Sequence, residues 1–207
     1  MVAILHDGEN KVKLEAILEA ARRRTGAYGF EKTTMTEIAN DLQISKAALY
    51  YYFPDKESLF CAVVKKEMEE FFNMAREMTS RMKGADEMLF EYVNMRHALY
   101  RIFMNLTRLR FSSPGHVYQQ FGDLKTHLRR NETELITEIL RKGKKSGQFF
   151  VSRPEEAAGL FLEILQGIRM VVAHHKPSFE LSKEDFDLIA AKHRQVVQLF
   201  VRSLKNK

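Results

Sequence analysis

Apolar positions recur along this chain at three- and four-residue spacing almost from end to end, and no segment alternates cleanly with period two. Leu14, Ile17, Leu18 and Ala21 form one such stripe, with Asn10 as its expected N-cap and Gly26 and Gly29 as its end. Three short elements fit before Pro54. A long helical pattern then runs from about Lys56 to Met82, and Gly84 separates it from a second, about Asp86 to Phe111. Ser112-Ser113-Pro114-Gly115 reads as a turn, and the following run reaches Lys142 with an interruption near Gly122. After a loop at Lys144–Gln148, Pro154 starts a helix to about His174, and the last helix spans about Lys183 to Leu204. The pattern predicts an all-α chain of about nine helices, with a small N-terminal unit over 1–55 and a larger helical one over 56–207.

Inside the small unit, Thr33–Leu59 reads TTMTEIANDLQISKAALYYYFPDKESL. Thr34 with Glu37 three residues on is a capping box, which satisfies two free amides at a helix start. Met35, Ile38, Ala39 and Leu42 then share one buried face, with Ala39 small enough for a second helix to cross closely. Ser45 can cap that second helix, whose apolar face is Ala48, Leu49, Tyr52 and Phe53. Two short helices joined by a tight turn describe a helix-turn-helix, in which the second helix enters the DNA major groove by its N-terminal end. The outward residues are Ser45, Lys46, Ala47, Tyr50 and Tyr51.

Composition and charge narrow the classes. The chain has 207 residues, 45% hydrophobic and 29% charged, with only 10 Gly and 4 Pro, which excludes disordered and collagen-like chains. Its single cysteine, Cys61, cannot close an intrachain disulfide. No stretch approaches the roughly 18 uncharged apolar residues of a membrane span, and no signal peptide is read, so a cytoplasmic location without membrane association is expected. The net charge of +6 points to nucleic acid, but its location does not follow the motif. Residues 1–56 hold eight basic and eight acidic side chains, whereas Arg101–Lys145 holds ten against four. DNA binding by the N-terminal unit therefore rests on geometry.

The run I-S-K-A-A-L-Y-Y-Y-F-P-D-K-E-S-L-F, with I-L-E-A-A and G-F-E-K-T-T-M-T-E-I-A upstream, closely resembles the DNA-binding segment of the tetracycline-repressor (TetR) family of bacterial regulators. The resemblance covers Leu14 to Phe60; beyond it the likeness is one of architecture. It implies that Tyr50 and Lys56 grip phosphates, that Thr34 and Thr36 also bond the DNA backbone, and that Lys46, Ala47 and Tyr51 reach base edges beside Ser45 at the helix start. Three positions depart from the family. Arg24-Thr25 stands where most members have Leu-Phe, so either Tyr28 fills that space or Arg24 lays its stem across the core edge. Gln43 stands where the turn usually holds Gly, and Ala47 replaces a common Gly.

The resemblance further implies a ligand-binding and dimerising C-terminal unit. The residues offer their own support. Apolar groups surround much of Pro154–His174 and cover a broad face of the last helix, more than one core can use in neighbouring helices, so a homodimer on a palindromic operator is expected. Candidate effector-lining residues are Tyr92, Met95, Arg96, Tyr100, Phe103, Met104, Phe121, His127, Phe161, Leu165 and Arg169. An inward Arg96, Arg101 or Arg169 needs an anion or an acid partner, which suits a small amphipathic or anionic effector; solvent-facing arginines are the alternative. No catalytic constellation is read. Asp123 and His127 are two metal-type ligands without a third, and neither a cofactor nor a metal is expected. The reading is a ligand-responsive regulator, most simply a repressor, and not an enzyme. The alternative is a helical ligand-binding protein or small-molecule enzyme without DNA function.

Overall fold

A computed structural model describes residues 2–107, 115–174 and 181–205, and their side chains apart from 2–9, 98–107, 115–118, 120 and 121. Among the described residues the chain is all-α. Eight helices follow one another: α1 (Val2–Tyr28), α2 (Met35–Asp41), α3 (Lys46–Tyr52), α4 (Lys56–Arg81), α5 (Ala85–Thr107), α6 (Gly115–Lys145), α7 (Pro154–His174) and α8 (Lys183–Lys205).

Two short helices, α2 and α3, lie between α1 and Pro54 where the pattern predicts three elements, and the sequence pattern departs from the structure at two further places. α6 continues through Gly122 without a break. One interior glycine costs a helix only about 1 kcal/mol, which the surrounding run offsets. α1 begins well before Asn10, so Asn10 is no cap; its side chain instead accepts the Tyr52 hydroxyl at 3.2 Å. The same helix passes through Gly26 and stops before Gly29, whose φ of +81° ends it.

The helices divide into two compact units, Met1–Glu67 with Leu109–Leu124, and Met68–Arg108 with Lys125–Lys207. The sequence pattern places its division at the start of α4, whereas contacts divide the chain inside α4. In the smaller unit, Ile17, Leu18, Ala20 and Ala21 of α1 pack with Met35, Ile38 and Ala39 of α2, Leu49 of α3, and Leu59 and Val63 of α4. The Leu14 stripe is thus the core face of α1, with Leu14 itself at its edge.

In the larger unit, Phe71 of α4, edge-on to Phe72 of the same helix, meets Tyr92 of α5, while α8 packs on both α5 and α7. Lys142 of α6 donates to the Thr79 and Met82 carbonyls at 2.8 and 2.9 Å, satisfying the C-terminal end of α4. Gly143 is glycine for a packing reason: a methyl there would overlap the Phe149 ring. α8 opens on a reciprocal cap between Ser182 and Asp185. Contrary to the expectation that no stretch approaches a membrane span, α7 is by length and composition apolar enough to cross one, and 28% of its most apolar stretch is buried. Its buried side, Ala158, Phe161, Leu162 and Leu165, belongs to the core of this unit.

Candidate functional site

Local chemistry sets the helix-turn-helix. Thr34 takes the extended N-cap conformation, its hydroxyl accepts the Glu37 amide at 3.3 Å, and its own amide donates to Glu37 Oε2 at 3.0 Å. The Thr34 hydroxyl proton also goes to Glu37 Oε2, at 2.8 Å, and these bonds hold the Glu37 carboxyl below its ordinary range. Both donors of Thr34 are therefore committed to the cap, so a phosphate bond from Thr34 would have to displace one. Thr36, one turn position on, is exposed.

The turn depends on Gln43, whose φ of +53° lies in the left-handed region. Its amide donates to Asn40 and that of Ile44 to Ala39, at 3.1 and 3.0 Å. Ala39 is 2% exposed beneath this crossing. Ser45 then caps α3 by accepting the Ala48 amide at 3.1 Å, and Leu49 anchors the helix with no exposed surface.

Ser45, Lys46, Ala47, Tyr50 and Tyr51 all reach solvent from α3, Tyr51 being 83% exposed. The Lys46 ammonium lies 5.7 Å from the Tyr50 ring centre. Ala48, expected in the core, is exposed instead. With Ala16, Ile17, Ile44, Tyr51 and Tyr52 it lines an apolar groove of about 400 Å3 between α1 and α3. The rest of the expected inward face is in the core, with Leu49 and the C-cap Phe53 buried and Tyr52 half-buried against them.

Lys56, the first residue of α4, is half-buried. Its ammonium donates to the Phe30 carbonyl at 3.0 Å and sits 4.0 Å from the Phe30 ring centre. Asp55 caps this helix by accepting the Ser58 amide at 2.6 Å. The space at Arg24-Thr25 is resolved in a third way. Tyr28 is 62% exposed and does not fill it. Thr25 turns its hydroxyl onto the Ala21 carbonyl at 2.7 Å, and Arg24 pairs with Asp41 of α2.

The candidate effector residues fall into three groups. Tyr92, Phe161 and Leu165 have no exposed surface, Arg96 is 1% exposed, and Met95, His127 and Arg169 are partly buried. The side chains of Tyr100, Phe103, Met104 and Phe121, and that of Arg101, lie outside the described residues. Arg96 does turn inward, but the acid that receives it belongs to this chain. Its Nε donates to Glu132 Oε1 at 2.5 Å, as does the Tyr92 hydroxyl, and its Nη2 reaches Oε2 at 3.4 Å. Sequence reasoning missed Glu132, His97 and His193. Glu132 sits among charged neighbours on α6, and the two histidines are brought together only by the packing of α5 on α8.

Several cations of the Arg101–Lys145 surplus serve this unit itself. Arg129 reaches the Gly159 carbonyl and Glu163, Arg141 pairs with Glu155, and Lys144 meets the Ser152 carbonyl.

Comparison with known proteins gives the likeness a name. The family described as bacterial regulatory proteins, tetR family, matches residues 17–63. The HTH-type transcriptional regulator RutR of Escherichia coli K12 is 40% identical over 57 residues, a match spanning 28% of this chain and 27% of RutR. The biofilm operon icaADBC negative transcriptional regulator IcaR of Staphylococcus aureus is 25% identical over 129 residues, covering 60% of this chain and 69% of IcaR. A transcriptional regulator from Cytophaga hutchinsonii is 33% identical with a TM-score of 0.83, covering 94% of this chain and 99% of that one. The 47 matched residues carry the α1–α4 core and the turn at Gln43, and the full-length likeness carries the rest: the chain belongs to the TetR family of bacterial regulatory proteins.

Proposed function

We propose that the chain is a DNA-binding transcriptional regulator that acts as a homodimer, represses transcription from a palindromic operator, and is released by a small, mostly apolar effector. One observation carries the DNA reading. Ser45, Lys46, Ala47, Tyr50 and Tyr51 project together from one capped helix whose opposite side is locked by Leu49. Lys46, Ala47 and Tyr51 are read as facing base edges, and Tyr50, Thr36 and Lys56 as facing phosphates, with Thr34 serving through the cap.

The dimer reading is supported by apolar surface that the larger unit leaves open. On α7, Leu160, Ile164, Met170 and Val171 are 56%, 39%, 49% and 64% exposed; on α8, Leu188 and Leu199 are 46% and 65% exposed. Such neighbouring stripes suit a four-helix interface with a second copy. A two-fold axis then spaces the two recognition helices by about 34 Å, one turn of DNA. Effector binding acts through α4, a single helix from Lys56 to Arg81, by changing that spacing.

Fluorescence anisotropy at low salt, using fragments from the protein's own genomic neighbourhood, tests the reading. Tight binding to one palindrome, with two chains per site, is expected. Binding to no fragment better than to random DNA would sink it.

A further inference from the structure

Beside α3 the smaller unit leaves an apolar groove open, about 400 Å3 in volume. Its floor is core. Ile17 is 2% exposed, and Leu42 and Ile44 pack against the same cluster. These two flank Gln43, so the left-handed turn fixes that wall. The groove stays open because two of its residues are small. Ala16 of α1 and Ala48 of α3 line it with methyl groups only, and both are exposed. The volume falls within the roughly 300–1,000 Å3 of small-molecule sites, which are likewise mostly apolar with a few polar groups.

The lining selects shape and charge. Tyr51 and Tyr52 close one side, their rings 5.5 Å apart and perpendicular. A ring face and a ring edge at one corner suit a flat aromatic body, which stacks on one and meets the other edge-on. The Tyr52 hydroxyl is committed to Asn10. Lys13 is the one charged residue of the lining, and its ammonium has no hydrogen-bond or ion-pair partner among the described residues. The acids that follow it on α1 are engaged elsewhere, Glu15 by Lys66 and Glu19 by Arg22. A negative group on the ligand therefore meets a cation and no acid of the lining. Because Lys13 is exposed, that pairing contributes only a few-fold in affinity.

We propose that this groove binds a small aromatic carboxylate, with its ring system against Tyr51 and Tyr52 over the apolar floor and its carboxylate at Lys13. The site lies wholly within the smaller unit and does not depend on the effector reading above. Only its consequence at DNA rests on the regulator reading. Tyr51 is read as facing a base edge, so a ligand stacked on its ring competes with DNA.

The chain has no tryptophan, so a naphthyl probe excited beyond tyrosine absorption is read without protein background. Anisotropy titrations of 2-naphthoate with the full-length protein, and of 2-naphthamide as the neutral control, test the site. Naphthoate should bind with a dissociation constant below about 1 mM, and naphthamide about three- to fivefold more weakly. Lys13→Met keeps an apolar stem and should bring the two probes to equal affinity. Ala48→Leu, at an exposed helical position, should weaken both by at least about tenfold through filling the groove. Ala16→Leu should do the same from the α1 side, and decides alone if Ala48→Leu does not fold. No binding of naphthoate, equal affinity for the two probes in wild type, a preference retained in Lys13→Met, or unchanged binding in both Ala16→Leu and Ala48→Leu overturns the proposal. Should it fail while the protein still binds its operator, the regulator reading stands. Naphthoate binding that Ala16→Leu and Ala48→Leu abolish, in a protein that binds no DNA, would support the groove site and sink the regulator reading.

Discussion

Arg24 and Asp41 meet fork to fork, Nε lying 2.5 Å from Oδ2 and Nη2 2.8 Å from Oδ1. The pair ties the last turns of α1 to the end of α2, and Nη1 stands 3.4 Å from Glu37 of the same helix. It holds the Asp41 carboxyl below its ordinary range and the Arg24 guanidinium above its own. Because the lowered group is an acid, the clamp persists above the ordinary carboxylate pKa near 4 and is lost as pH falls below it. Its worth is orientation of α2, and through the turn of α3, more than stability, since partly solvated pairs contribute little.

Arg24→Lys keeps the charge and loses the two-pronged geometry. DNA affinity is expected to drop about two- to fivefold with a urea midpoint close to wild type. Anisotropy and urea melts on one preparation check this. A large fall in midpoint with unchanged affinity would assign the pair to folding alone.

Gln43 stores conformational energy in the turn, with φ at +53° where glycine is at ease. Gln43→Gly is expected to stabilise the protein by about 1 kcal/mol, less the entropy that glycine adds to the unfolded chain. Gln43→Val, β-branched and ill-suited to that region, should destabilise it by at least as much. Guanidinium midpoints of the three chains give the order. Wild type above Gly would mean that the Gln43 side chain makes a compensating contact.

The sequence carried the parts of this fold that are local. Thr34 with Glu37 and Ser45 before Ala48 follow from chemistry within a few residues, and each is found where the pattern put it, while the left-handed Gln43 stands where the family resemblance placed a usual glycine. What depends on distant partners was not legible. Arg24 needed Asp41, Lys56 needed Phe30, and Arg96 needed Glu132. An unpaired charge can be recognised as needing a partner, but the sequence does not say whether a ligand or the chain supplies it. The break placed at Gly122 erred differently, by giving one residue's propensity more weight than a 31-residue helix.

Lys56 keeps donors for DNA even while bound to Phe30. An ammonium has three N–H groups, and the carbonyl takes one of them. Lys56→Met retains an apolar stem on the Phe30 ring and removes the charge. Affinity should fall alike for operator and random DNA, and the slope of log affinity against log salt should shrink by about 1. Tyr50→Phe removes an uncharged donor, so it should weaken both DNAs without changing the slope. An unchanged slope in Lys56→Met would confine that ammonium to its bond with Phe30.

His193, whose Nε2 donates to the Leu165 carbonyl at 2.8 Å, stacks on His97 with ring centroids 5.1 Å apart, and the pair makes acid stability a readout of the larger unit. An unfolded histidine titrates near 6.5, whereas His193 is lowered to about 3 and His97 to about 4 in the fold. The unfolded chain therefore takes up protons first as pH falls. Stability is fully present above 6.5 and declines from there toward the lowered values. His193 alone accounts for about 2 kcal/mol of loss at pH 5, and His97 adds to it with the same sign. The paired carboxylates cannot produce this limb. Asp86, held low chiefly by Lys205, loses its contribution only below the ordinary carboxylate range. Urea midpoints at pH 7.5 and pH 5 should thus separate clearly in wild type and move closer together in His193→Gln. Equal midpoints at the two pH values in wild type would mean that His193 is not held neutral against Leu165.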